Sequence, residues 1–222
     1  MKSDAFAEVM ALARQTVALE QVMGRLGWDQ ETQMPQGAAD QRGEEMAALE
    51  GVLHARRSDP RLGALLAKAK APDAAAAAQL REVARAHARA VKVPGPLAQE
   101  IARVTSVAQG IWAQARAAED VAAFLPTLAE VVRLKREEGA ALAQGGDAYD
   151  ALVDDYEPGM KAADIAAMFG AMRPRLVALR ERILGASRQP KPLDGAFASD
   201  TQLRLTRRLA TVFGYDWSRG RL

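Results

Sequence analysis

GWDQETQMPQGAADQR, residues 27–42, separates two runs in which apolar residues recur at threes and fours, the spacing of one face of a helix. On its amino side, Phe6, Val9, Met10, Ala13, Val17 and Val22 or Met23 predict a first helix over residues 4–26. Asp4 lies near its start, and Gly24 and Gly27 mark a fraying end. On its carboxyl side, Met46, Leu49, Val52 and Leu53 predict a second helix from Ala38 to Arg56. Between them, Trp28 is placed to swing into a core, and Asp29 or Thr32 to cap a following turn. Pro35-Gln36-Gly37 enforces the bend. Since Ala is abundant and β-branched runs are scarce, the same alternation of helix and short break governs the rest of the chain.

Ser58-Asp59-Pro60 opens a short helix to about Lys70, with Pro harmless in the first turn, and Pro72-Asp73 opens another through Leu80, Val83 and His87 to Val91. Pro94-Gly95-Pro96 stops it. Leu97 to Ala118 carries Ile101, Val104, Val107, Ile111 and Trp112 on one stripe, so Trp112 is expected in the core, as is Phe169 further on. Asp120 caps a helix from Val121 to Ala143 that Gly145-Gly146 ends. After YDALVDDYEPGM, with a turn at Pro158-Gly159, a helix over residues 162–184 is expected to be kinked or divided at Pro174. Residues 186–198 form a loop and a candidate sub-boundary; residues 199–213 close the series, with Ser199 and Gln202 as a capping box. Short connections give an all-α array of mostly antiparallel amphipathic helices.

The 222 residues suffice for a substantial core without staples, and the absence of Cys excludes disulfides, thiolate metal sites and cysteine nucleophiles. Asp4 and Glu8 stand where a signal peptide would be basic, and no apolar run approaches a membrane span, so a cytoplasmic protein is expected. Net charge is +2, yet residues 173–222 hold eleven Lys or Arg against four acids, a balance of +7 opposite −5 for the remainder. No aromatic residues interleave these arginines as base-stacking platforms would, so no nucleic-acid partner is expected.

The residues that could carry chemistry are few. His54 and His87 are thirty-three positions apart, so there is no zincin helix and no di-iron Glu-x-x-His pair. Glu50 and His54 share a helical face, as two metal ligands or as a surface hydrogen bond. His87 stands beside Arg85 and Arg89 with no carboxylate next to it. Asp154-Asp155-Tyr156-Glu157 invites a paired-carboxylate reading. The alternative is a turn in which the acids cap backbone groups and Tyr156 hydrogen-bonds across the fold.

Three stretches together resemble one family. GWDQETQMPQGAADQRGEEMAAL is similar to the W-D-x-E-T-x-M-P-x-G-A segment of the carboxypeptidase Taq zinc metallocarboxypeptidases. VVRLKREEGAAL followed by YDALVDDYEPGM resembles their central helix and D-x-Y-E-P-G-M segment. FASDTQLRLTRRLATVFGYDWSRGRL resembles the approach to their catalytic region. The resemblance places Trp28, Asp29, Glu31, Thr32, Pro35, Asp155, Tyr156, Glu157, Pro158 and Gly159 at family motif positions of unassigned role.

It also implies that residues 1–222 are the amino-terminal helical part of a larger enzyme. The His-Glu-x-x-His zinc motif is expected beyond Leu222, leaving no catalytic or metal residue and no cofactor in this chain. Zinc or another divalent metal, a peptide substrate, the carboxy-terminal half and a homodimer contact belong, on this resemblance, to the complete enzyme, which removes carboxy-terminal amino acids from peptides. A stand-alone helical interaction or dimerisation module is the alternative.

Overall fold

The structure is a computed structural model that describes residues 4–191 and 193–221. It is all-α: α1 (Ala5–Thr32), α2 (Ala39–Arg57), α3 (Pro60–Leu66), α4 (Ala74–Lys92), α5 (Gly95–Ala117), α6 (Val121–Ala143), α7 (Ala148–Val153), α8 (Ala162–Leu184) and α9 (Ser199–Val212), with no strand among the described residues. A single 3₁₀ turn, Gln36–Ala38, precedes α2. The described chain forms two compact units that divide between Ala166 and Ala167. No helix is long and apolar enough to cross a membrane among the described residues.

Local chemistry sets most helix starts. The carboxylates of Asp4, Asp59, Asp73, Asp120 and Asp147 each accept a hydrogen bond from a backbone N–H of the first turn they precede. Pro60 and Pro96 stand in first turns, where a missing N–H has no partner to lose. The end of α6 turns through Gln144 and Gly145, both with positive φ.

Several expectations do not hold. The first helix does not end near Gly24 and Gly27 but continues through Trp28 to Thr32. Two glycines cost a helix about 1 kcal/mol each relative to Ala, and the bonds that Asp29, Gln30 and Glu31 make to other helices offset that cost. Of the two outcomes expected at Pro174, division is excluded, since α8 runs unbroken from Ala162 to Leu184; Pro126 is likewise accommodated inside α6. Ser199 is the first residue of α9 rather than its cap, and Gln202 donates its side-chain N–H to the Phe197 carbonyl at 2.6 Å instead of completing a capping box. Trp112 and Phe169 are about half exposed rather than in the core, at 49% and 54%.

In the first unit, α2 packs most extensively on α5, α5 on α6, α1 on α2 and α6 on the short α7. Val9 and Leu53 are wholly buried, with Leu62, Val93, Val104, Ala108, Leu134 and Leu142 nearly so. Burying a Val or Leu side chain stabilises by about 1.5–3 kcal/mol. The α2–α5 contact is close because Gly43 presents no side chain: a Cβ there would lie 2.9 Å from Val107 Cγ2.

In the second unit, the Gln189 amide donates to the carbonyls of Ile183, Leu184 and Ala186, satisfying the end of α8. Residues 213–219 fold back on α9. There Trp217 Nε1 donates to Thr211 Oγ1 at 2.8 Å, the Tyr215 ring meets Trp217 edge-on at 4.6 Å, and the Arg207 guanidinium lies 5.5 Å from the Trp217 ring centre.

Candidate functional site

The motif positions fall into two polar clusters within the first unit. The first cluster joins the last turns of α1 to α2 and α5. Continuing α1 as a helix through residue 32 puts Asp29, Gln30 and Glu31 on successive faces, so each reaches a different partner. Asp29 Oδ2 accepts from Arg42 Nη2 at 2.7 Å. Arg42 Nε also donates to Glu45 at 2.9 Å, and its Nη1 donates to the Leu26 carbonyl. Arg42 is thus a nearly buried cation, 8% exposed, that ties the end of α1 to the start of α2. Asp29 and Glu45 hold its guanidinium firmly protonated.

Gln30 and Ser106 exchange hydrogen bonds: Gln30 Nε2 donates to the Ser106 carbonyl at 2.7 Å, and Ser106 Oγ donates to Gln30 Oε1 at 2.9 Å. Glu31 accepts from Gln109 Nε2 at 2.7 Å. Thr32 Oγ1 donates to the Trp28 carbonyl at 2.7 Å, and the N–H groups of Gln33 and Met34 both reach the Asp29 carbonyl, ending the helix. Thr32 therefore closes α1 rather than capping a following turn. Trp28 is 41% exposed, not in the core. Pro35 is the extended residue that leads into the 3₁₀ turn.

The second cluster holds the end of α7 and the turn after it against α4 and α6. Asp154 Oδ1 accepts the Gly159 N–H at 2.8 Å, while Asp154 Oδ2 and the Asp154 carbonyl accept from Arg85. The Gly159 bond, then Arg85, holds the Asp154 carboxyl below the usual range. Asp155 pairs with Arg89 at 2.6 Å, and the same guanidinium reaches Glu138 at 2.9 Å, whose other oxygen accepts from Lys135 at 2.7 Å. Burial pushes the Asp155 carboxyl up despite Arg89, and the Glu138 charge adds to the rise. Asp150 Oδ1 accepts the Ala162 N–H at 2.8 Å, fixing the first turn of α8. Close packing of α7 on α6 depends on Gly139, where a Cβ would lie 3.0 Å from the Ala148 carbonyl. A surface groove of about 720 Å³ runs beside the cluster, with Arg85, Arg89, Lys92, Asp150, Asp154 and Lys161 on its walls.

The two neighbouring acids are displaced in opposite directions, as an acid and base pair would require. Each is nevertheless committed elsewhere, Asp154 to a backbone N–H and Arg85, Asp155 to Arg89, so the cluster is a clamp on the turn. Among the described residues, Tyr156 makes no bond across the fold; it is 86% exposed, with Glu157, Pro158 and Gly159 exposed beside it.

Glu50 and His54 are not co-ligands. Glu50 pairs with Arg57 at 3.2 Å, whereas His54 Nε2 donates to the Val93 carbonyl at 2.7 Å. His87 Nδ1 donates to the Arg57 carbonyl at 2.7 Å. Among the described residues, no group of three or more His, Asp or Glu side chains is placed to hold a metal ion. Sequence reading missed Arg42, Arg89, Glu138 and Ser106 as organising residues. Their partners lie on other helices, and only Arg42 with Glu45 and Lys135 with Glu138 leave the i,i+3 trace a sequence can show.

Thermostable carboxypeptidase 1 of Thermus thermophilus is 35% identical over 235 residues, covering 98% of this chain and 46% of the relative. The crystal structure of BsuCP superposes with a TM-score of 0.87 at 18% identity, covering 98% of this chain and 45% of that one, which shows the shared fold. Metallocarboxypeptidase 1 of Trypanosoma cruzi superposes at 0.71 with 30% identity, covering 96% and 45%. The chain spans about half the length of the curated relatives it matches. The sequence profile of the carboxypeptidase Taq (M32) metallopeptidases matches residues 8–222, nearly the whole sequence, and the chain belongs to that family.

Proposed function

We propose that residues 1–222 are the amino-terminal half of a zinc-dependent carboxypeptidase that releases carboxy-terminal amino acids from peptides when its carboxy-terminal half is present. The observation that carries this reading is the family match over residues 8–222 in a chain that covers only 46% of its Thermus relative. The metal that the family name implies does not fit the described residues: both His side chains donate to backbone carbonyls of helix ends, and no acidic group joins either to complete a ligand set. No catalytic step is therefore assigned to this chain. Its contribution is architectural, with the Asp29–Arg42 and Asp155–Arg89–Glu138 clusters fixing the helix ends that carry the motif positions Trp28, Glu31, Thr32, Pro35, Tyr156, Glu157, Pro158 and Gly159.

The test compares the 222-residue chain with the same chain joined in frame to the carboxy-terminal half of the Thermus thermophilus relative. Each is equilibrated with zinc or cobalt, its tightly held metal is quantified, and amino-acid release from an amino-blocked dipeptide is followed. The short chain is expected to hold no stoichiometric metal and release nothing, and the fused chain to do both. Stoichiometric metal together with turnover by the short chain alone would overturn the proposal.

A further inference from the structure

Large apolar side chains are exposed unevenly along the sequence. Among the described residues, twenty-eight such side chains are exposed, and sixteen of them lie from Met168 onward, in about a quarter of the chain. On α8 five of the eight lie on one stripe. Met168, Met172, Leu176, Leu179 and Ile183 follow one another at spacings of four, four, three and four, which at about 100° per residue gathers them within an arc of about 80°. Their exposures run from 43% to 55%. Met168, Met172, Leu176 and Leu179 line a shallow groove together with Arg175 and Arg182.

Both shoulders of this seam are basic. Arg175 and Arg182 stand seven residues apart on one side, Arg173 and Arg180 seven apart on the other. This is the arrangement of a helix that packs lengthwise on another: apolar seam inside, charges along its edges choosing the partner. Among the described residues, Arg173, Arg175 and Arg182 make no ion pair, and Arg180 meets only its neighbour Glu181, at 3.0 Å. The edges are thus left with cations to be matched from outside.

We propose that this face of α8 is the docking surface for the carboxy-terminal half of the enzyme, and that it receives an amphipathic helix with acidic residues flanking its apolar stripe. The inference rests on the reading of the chain as the amino-terminal half. Relatives that superpose over 96–98% of this chain have more than half of their own length outside the superposed part, which supplies the occupant. The four arginines specify its charge. A second copy of this chain would set arginine edges against arginine edges, and like charges so placed disfavour the pairing.

The sequence contains no Cys, so single thiols report on single positions. L176C on the seam and V177C, about 100° further round the helix and also about half exposed, are each made in the 222-residue chain and in the chain fused to the carboxy-terminal half of the Thermus thermophilus relative. Maleimide labelling is followed by peptide mass mapping. Labelling at L176C is expected to slow at least about tenfold on fusion, that at V177C to change less than about twofold.

Equal labelling of L176C with and without the added half would overturn the surface, as would equal protection of L176C and V177C. Because a chimera that fails to fold protects nothing, the short chain supplies a second measurement. There the pair L176D and L179D is expected to lower anilinonaphthalene sulfonate binding several-fold at unchanged helical circular dichroism, and unchanged dye binding would also overturn the inference. Turnover is a separate readout: a fused chain that protects L176C but releases no amino acid fails the functional proposal and keeps this one.

Discussion

Replacing Arg42 with Ala separates the end of α1 from the start of α2, and the structure bounds the cost. The guanidinium donates to Asp29, to Glu45 and to the Leu26 carbonyl from a position only 8% exposed. Hydrogen bonds to charged groups contribute about 1.5–3 kcal/mol each, which would give a large sum if all were lost unreplaced. Both carboxylates, however, are 41% exposed at the side chain and regain water when Arg42 is removed. Discounting their bonds by more than half and adding the buried stem leaves an expected loss of about 2–4 kcal/mol, a large part of the total stability of an ordinary domain.

The assay is urea unfolding followed by circular dichroism, read as a shift of the midpoint at constant slope. Arg42→Lys keeps the charge and most of the stem but not the planar fork, so it should fall between Arg42→Ala and the parent. Arg133→Ala, an exposed ion-paired arginine on α6, should leave the midpoint unchanged. A loss below about 1 kcal/mol for Arg42→Ala, or an Arg42→Lys variant as stable as the parent, would refute the bridging role.

Further outcomes follow from the second cluster and from the half-buried Glu50. The Asp154 carboxyl is held low in the folded state, so its stabilisation is present above the unfolded value near about 4 and is lost as pH falls through the folded value. Asp154→Asn should lower stability at neutral pH and flatten the acid limb of a stability profile measured between pH 2 and 7; an unchanged limb would contradict the clamp. Burial raises the Glu50 carboxyl more than Arg57 lowers it, the opposite case, whose contribution is full below the unfolded value and lost as pH rises through the folded one. Relative to the parent, Glu50→Gln should therefore gain stability from pH 4 to pH 6.5 in urea titrations, and a gain in the reverse direction would refute the sign. Gly139→Ala drives a methyl to 3.0 Å from the Ala148 carbonyl and should cost about 1–3 kcal/mol, seen as a lower melting temperature.

The helices were legible where a capping acid or a Pro stands just before an apolar repeat, as at Asp59, Asp73 and Asp120, because those signals act within one turn of chain. The end of α1 was not. Gly24 and Gly27 mark a weak point locally, but the bonds that carry the helix past them run to Arg42, Ser106 and Gln109, up to seventy-eight residues away. Motif membership at Asp29 and Asp155 was visible; their roles as ion-pair partners were not, since neither Arg42 nor Arg89 carries a local mark of burial. Trp112 and Phe169 show the limit of apolar spacing, which identifies a stripe but not what covers it.

The missing side chain at residue 43 ties that position to residue 107. Since Cγ2 of Val107 occupies the space a methyl at 43 would need, a Gly43→Ala change becomes acceptable only on a background that has already trimmed position 107, for instance to Ala. The two sites should then drift through descendants as a couple, each permitting or forbidding the other's next step, and the order in which substitutions arrive decides which lineages stay folded.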